Sequence, residues 1–78
     1  MSDIIKILGA VKRERDYQDA KWGTKPRNLA EWILVLEGEL NEAKEAWLKK
    51  PDSEVCKEIL QVISVGVAAL QQHGVIER

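Results

Sequence analysis

The stretch from 55 to 70 constrains the fold more than any other part of the sequence. Wound as an α-helix, its apolar residues cover nearly the whole circumference. They are Val55, Ile59, Leu60, Val62, Ile63, Val65, Val67, Ala68, Ala69 and Leu70. A helix that is apolar all round has to be buried, and a chain of 78 residues has too few other helices to surround it. We therefore expect a second subunit to cover part of this helix.

Two further helices are predicted before it, and no strand alternation is present, so the expected fold class is all-α. The first helix runs from about Asp3 to about Ala20, with Ser2 or Asp3 as its cap. A loop follows at 23–26, where glycine and proline occur together.

The second helix is expected to start after a cap at Asn28 and to reach about Lys49, before Pro51. Its apolar residues have the four-three spacing of a bundle seam. This seam comprises Leu29, Ile33, Leu36, Leu40, Ala43 and Trp47.

The third helix is expected to be capped by Asp52 or Ser53, to run to about His73 and to end at Gly74. We predict that the second and third helices form a hairpin within a single domain, 1–78. The hairpin is expected to pack on a second copy in a four-helix core, as a dimer or a tetramer.

The composition excludes several classes of protein. The 12 basic and 13 acidic residues are interleaved and give a net charge of -1, which argues against a nucleic-acid partner. No apolar run approaches the ~20 residues that span a bilayer, so no membrane partner is expected. Cys56 is the single cysteine, which rules out an internal disulfide and fits a reducing, cytoplasmic location. We expect Cys56 to lie in the core.

Two helices each place a pair of oxygen-bearing side chains beside an apolar surface. Glu39 and Glu42 lie one turn apart on the second helix, and Glu58 and Gln61 on the third. Buried carboxylates require a partner, and such a set of oxygen ligands suits magnesium or manganese. The alternative is that these residues are solvated, or form salt bridges with lysines. The candidate lysines are Lys44, Lys49 and Lys57.

The order of these segments resembles the MazG-like family of all-α nucleotide pyrophosphohydrolases, which includes dCTP pyrophosphatases and dimeric dUTPases. The stretch Gly38–Ala43 resembles the first acidic motif of that family, and Glu58–Gln61 resembles the second. The stretch Glu14–Gly23 is similar to the region before the first acidic helix in phage-type members, and Pro26–Leu29 to the dCTP-cleaving branch.

The resemblance implies an enzyme that cleaves a nucleoside triphosphate, most often a deoxynucleotide, to monophosphate and pyrophosphate with Mg2+ or Mn2+. It implies catalytic and metal-binding roles for Glu39, Glu42 and Glu58, with Gln61 as a fourth, weaker ligand. Gln61 stands where the family usually has aspartate, and Gly38 where many members have an acid. These departures predict weaker magnesium binding, and either lower activity or a nucleotide binder without turnover.

Four residues near the first loop are candidates for binding the substrate. Lys21 and Arg27, in the loop before the second helix, carry charges that phosphate groups require. Trp22, expected in the same loop, is a candidate for stacking on the base, and Gln18 for reading a base edge. The alternative is that Trp22 plugs the end of the bundle and that Lys21 is solvated.

The remaining distinctive side chains have structural interpretations. Trp32 and Trp47 lie on the apolar side of the second helix and are expected in the core, and His73 is expected to interact with a helix C-terminal dipole. The alternative function is a non-catalytic module for oligomerisation or interaction, in which the glutamates are ordinary edge charges.

Overall fold

The protein consists of three α-helices joined by two short connections. The computed structural model describes residues 3–78, in which α1 spans Ile4–Trp22, α2 spans Leu29–Lys49 and α3 spans Asp52–His73. No strand occurs in this range. The predicted all-α class, the number of helices and the pairing of α2 with α3 as a hairpin are confirmed.

Helix α1 begins at a side-chain cap. The carboxylate of Asp3 accepts a hydrogen bond from the backbone N–H of Lys6 at 2.9 Å, which satisfies one of the free donors of the first turn. The alternative cap, Ser2, lies outside the described residues.

The end of α1 lies further along the chain than the sequence predicts. The helix continues through Trp22 and stops at Gly23, whose φ of 78° is a conformation that glycine adopts without strain. Lys21 and Trp22 therefore project from the last helical turn, and the prediction that they lie in a loop is wrong. Their side chains project from a helix rather than from the loop that follows.

Helix α2 begins at the predicted residue. The side chain of Asn28 accepts from the backbone N–H of Glu31 at 2.8 Å, and the Glu31 carboxylate accepts from the backbone N–H of Asn28 at 3.0 Å. This reciprocal pair is a capping box, which fixes the direction in which the chain enters the helix. The helix ends at Lys49, as predicted from Pro51.

Helix α3 begins without a side-chain cap, so the prediction that Asp52 or Ser53 caps it is wrong. Pro51 occupies the cap position with an extended backbone, and Asp52 is already the first helical residue. Asp52 and Glu54 lie in the first turn, where negative charge interacts favourably with the helix dipole. The helix ends at His73, before Gly74, as predicted.

The core is small and is centred on α3, which packs against both α1 and α2. Trp32 from α2 contacts a strip of small side chains on α3, and Val35 and Leu36 pack against the same cluster. The buried α3 residues of the cluster are Val65, Ala68 and Ala69. Small residues on α3 let the indole of Trp32 approach the helix closely.

A single chain leaves much of the predicted seam exposed. Ile33 and Trp47 are 64% and 69% exposed, so the prediction that Trp47 lies in the core is wrong for the single chain. Cys56 is also exposed rather than in the core. On α3, Ile59 and Ile63 are exposed as well, so one chain does not bury this helix on all sides. Within residues 3–78, none of the helices combines the length and hydrophobicity needed to traverse a bilayer.

The hydroxyl of Ser64 is fully buried on α3 and has no hydrogen-bond partner. Because an unpaired buried hydroxyl costs about 1–3 kcal/mol, we expect Ser64→Ala to raise the melting temperature. Since Ala also favours helix, the exposed Ser53→Ala serves as the control for helix propensity. Thermal unfolding followed by circular dichroism measures both; a lower melting temperature for Ser64→Ala would contradict the unpaired hydroxyl.

Candidate metal centre and adjoining cavities

Three carboxylates from the α2–α3 hairpin converge on one point. Glu39 and Glu42 extend from adjacent turns of α2, and Glu58 extends from α3. One oxygen from each side chain lies within 4.8 Å of the others. The helical spacing predicted that Glu39 and Glu42 share a face, and the crossing of α2 and α3 adds Glu58 to it.

Two oxygens of this cluster are buried without a hydrogen-bond partner. They are Oε2 of Glu39 and Oε2 of Glu58. A carboxylate oxygen removed from water and left unpaired is destabilising, and a bound cation relieves that cost. The chemistry of the donor set, hard oxygens with negative charge, therefore fits a divalent ion such as Mg2+.

The pKa of Glu39 is raised above its ordinary value of 4.5. Burial is the largest cause, followed by the negative charge of the nearby Glu42 carboxylate. Glu58 and Glu14 add smaller repulsive contributions. Without a cation, the cluster therefore favours retaining a proton on Glu39.

The lysines offered as alternative partners do not neutralise the cluster. Among residues 3–78, no ion pair involves Glu39, Glu42 or Glu58. Lys57, the lysine next to Glu58 in sequence, pairs with Glu54 at 3.1 Å. The negative charges of the three glutamates are thus left without a cationic side chain.

A cavity of about 280 Å³ opens beside the carboxylates. It brings together residues from all three helices, including Gln61, Lys21 and Trp22, which the sequence singled out. The lining consists of Glu14, Tyr17, Lys21, Trp22, Glu39, Glu42 and Gln61. The ammonium of Lys21 lies 5.2 Å from the ring centroid of Trp22 and 5.8 Å from that of Tyr17, within cation–π range.

A second cavity of about 360 Å³ adjoins the first, and Glu39 and Trp22 line both. It contains the other two predicted substrate residues, Gln18 and Arg27. Its walls combine apolar and aromatic surface with amide, hydroxyl and charged groups, the usual character of a small-molecule site. Of the two cationic residues predicted to bind phosphate, Lys21 lines the smaller cavity and Arg27 lines the larger one.

Arg15 was not predicted, yet it organises one wall of the larger cavity. Its nearly buried guanidinium donates to Gln71 Oε1 at 2.8 Å, to Gln18 Oε1 at 3.0 Å and to Asp19 Oδ1 at 2.7 Å. The Nε2 of Gln18 donates to Glu14 at 3.4 Å. Gln18 is therefore already engaged inside the protein, and its amide oxygen is bound to Arg15.

Glu14 and Gln72 are two further residues of the site that the sequence did not single out. The signal for Glu14 and Arg15 was their one-turn spacing from Gln18 and Asp19 along α1, which places polar groups on a helix face. The signal for Gln72 was a side-chain amide that follows the mainly apolar stretch 59–70 of α3. His73, besides lying in the last turn of α3, has its Nε2 2.7 Å from the backbone oxygen of Arg27.

Comparison of the chain with protein-family models finds no match, and comparisons with curated proteins and with solved structures find none either.

Removing the charge of Glu39 is expected to stabilise the metal-free protein at neutral pH. A raised pKa means that the folded chain binds the proton more tightly than the unfolded chain does. The resulting stabilisation is complete below the ordinary pKa of 4.5 and is lost as pH rises through the raised, folded-state pKa. In a chelator, Glu39→Gln should therefore melt at a higher temperature than the unmodified protein at pH 7.

The exposed Glu37→Gln on the same helix is the matched control and should shift the melting temperature little. The advantage of Glu39→Gln should shrink as pH falls toward 4.5, where the carboxyl of the unmodified protein becomes protonated. Melting curves in chelator from pH 4 to pH 8 measure this. A Glu39→Gln protein that melts lower than the unmodified one at pH 7 would count against the repulsive cluster.

Proposed function

We propose that this protein is a divalent-metal-dependent nucleoside triphosphate pyrophosphohydrolase. The observation that carries the proposal is the set of three converging glutamates, two of which have a buried, unpaired oxygen. The adjoining cavities, with a cation in each, give this set a place for a phosphorylated ligand. The proposal agrees with the MazG-like resemblance of the sequence.

Glu39, Glu42 and Glu58 are the residues that would hold the ion, and Gln61 lines the same cavity with a neutral amide oxygen. A divalent ion held there would supply charge neutralisation of phosphate oxygens and activation of a water molecule. The three glutamates project from helices, so their positions should change little when an ion binds.

The two cavities suggest how the substrate lies. The polyphosphate occupies the side nearest the carboxylates, within reach of Lys21, while Arg27 approaches from the larger cavity. Trp22 stands between the two cavities with half of its surface exposed, which leaves a ring face free to contact the base. A deoxynucleoside triphosphate is the proposed substrate.

The protein is proposed to act as a cytoplasmic homo-oligomer. The exposed seam of α2 lies beside an exposed strip of α3, because Gly66 on α3 approaches Leu36 on α2: a Cβ added there would lie 3.9 Å from Leu36 Cδ2. Together they form an apolar face, which we call the hairpin face. Its large exposed residues are Leu29, Ile33, Leu40, Trp47, Ile59, Ile63 and Leu70. Exposed apolar residues grouped in this way are typical of an interface, which supports the proposed assembly.

A nucleotide binder without turnover is the second candidate. It is favoured by Gln61, since a neutral ligand adds no charge to hold or activate the ion. A non-catalytic interaction module is the third, and it is favoured by the exposed hairpin face alone. The three candidates differ in whether Mg2+ and nucleotide stabilise the fold and whether pyrophosphate appears.

With Mg2+ and a panel of deoxynucleoside triphosphates, the protein is expected to release pyrophosphate. Glu58→Gln should lower the rate by about 100-fold or more, because it removes one carboxylate from the ion. The exposed Glu37→Gln should keep the original rate. A coupled pyrophosphate assay measures turnover, and circular dichroism checks that each variant is folded.

Melting curves decide between the candidates. Binding to the native state at 100 times the dissociation constant adds about 2.7 kcal/mol of stability. Stabilisation by Mg2+ and nucleotide without pyrophosphate would identify the inactive binder, and the absence of both would identify the interaction module. Gln61→Glu, which keeps the side-chain length and adds a charge, should tighten Mg2+ binding.

Ile63→Glu is expected to convert the oligomer into monomers, because it places a charge in the centre of the apolar hairpin face. Ser53→Glu adds the same charge to the exposed first turn of α3, away from this face, and should leave the assembly intact. Size-exclusion chromatography with light scattering measures the mass. An unmodified protein that is monomeric at micromolar concentration would refute the proposed assembly.

A further inference from the structure

The side-chain amide of Gln72 joins three separate parts of the chain. Its Oε1 accepts hydrogen bonds from the backbone N–H of Arg27 at 3.0 Å and from the indole Nε1–H of Trp32 at 2.9 Å. Its Nε2 donates to the backbone oxygen of Lys25 at 3.1 Å. The last turn of α3 is thereby fixed to the loop before α2 and to the first turn of α2.

The two residues that donate to Gln72 Oε1, Arg27 and Trp32, also contact each other through their side chains. The guanidinium of Arg27 lies over the ring of Trp32, with Cζ 5.5 Å from the ring centroid, which is a cation–π contact. One oxygen thus holds both the backbone that carries the cation and the ring on which the cation rests. His73 adds a contact at the backbone oxygen of Arg27, so α3 fixes both polar atoms that Arg27 contributes to the main chain.

This arrangement lies on the wall of the larger cavity. Arg27, Trp32 and Gln72 all line it, together with Glu39 from the carboxylate cluster. An arginine on a connecting segment is otherwise free to sample many rotamers, and ordering it during binding reduces affinity. An arginine already seated on a fixed ring presents its charge to an anion without that loss.

We infer that Gln72 is a positioning residue, which holds Arg27 on Trp32 so that the guanidinium meets the anionic part of the ligand. The ligand class is a polyphosphate, and this inference rests on the proposed function for the identity of the substrate. Gln72 itself has its oxygen and one amide hydrogen engaged by the protein, so its role is exerted through Arg27.

The first test uses nuclear magnetic resonance on the full chain and needs no activity. Gln72→Met keeps the side-chain length and removes the acceptor, so the Trp32 indole N–H resonance should move upfield. Exchange of the Arg27 amide should accelerate about three- to tenfold, as expected for loss of one hydrogen bond. Gln71→Met is the matched control: Gln71 bonds to Arg15, so both signals should stay unchanged. Unchanged signals in Gln72→Met would overturn the inference.

The second test asks whether the position of Arg27 matters for ligand binding. Gln72→Met should raise KM for the triphosphate, and the dissociation constant of inorganic tripolyphosphate with Mg2+, by about tenfold, since it weakens ground-state and transition-state contacts alike. The affinity for Mg2+ alone and kcat should change little. Gln72→Glu restores an acceptor for the indole N–H and should recover the Trp32 signal, but its charge opposes the Lys25 carbonyl and the polyphosphate, so the affinity should stay low.

Failure of the inference and failure of the proposed function give different results. An unmodified protein that binds tripolyphosphate without turnover refutes the proposed function, and the tripolyphosphate affinities of the Gln72 variants still decide the inference. If Gln72→Met shifts the Trp32 and Arg27 signals while tripolyphosphate affinity is unchanged, Gln72 has a purely structural role. An unmodified protein that does not bind tripolyphosphate refutes both.

Discussion

Three carboxylates lie within 4.8 Å of one another, and no cationic side chain from residues 3–78 pairs with them. Their mutual repulsion opposes the packing of the helices that carry them. The hairpin of α2 and α3 forms nevertheless, because Trp32 on α2 packs against small residues of α3. Apolar burial therefore holds the repelling charges in place. Any cation that occupies the cluster binds the folded chain in preference to the unfolded one, so cation binding and stability are linked.

Helix α3 connects the parts of the candidate site. It supplies Glu58 to the carboxylate cluster, Val65 to the core and Gln72 to the loop that carries Arg27. These residues lie seven positions, or about two turns, apart along one helix, so their mutual distances change little. Because Glu39 from α2 lines both cavities together with residues of α3, the separation of α2 and α3 affects the shape of both.

The sequence predicted those features that depend on local periodicity. The three helices, the cap at Asn28 and the shared face of Glu39 and Glu42 follow from spacing along one helix. It did not predict the contacts of Arg15 with Gln71 or of Gln72 with Trp32, which join residues 40 or more positions apart, because such contacts depend on how two helices cross. The end of α1 at Trp22 was missed by two residues, since glycine and proline mark a break without fixing which residue is the last helical one.

The apolar hairpin face and the carboxylate cluster make different demands on the same two helices, and helical geometry keeps them apart. At ~100° per residue, Ile59 and Ile63 share a strip of α3 that lies more than a quarter of a turn from Glu58. On α2, Ile33 and Trp47 share a strip similarly separated from Glu42. A second copy seated on the hairpin face would therefore leave Glu42 and Glu58 open to a ligand, whereas Glu39 lies closer to that face, less than a quarter of a turn from Trp47.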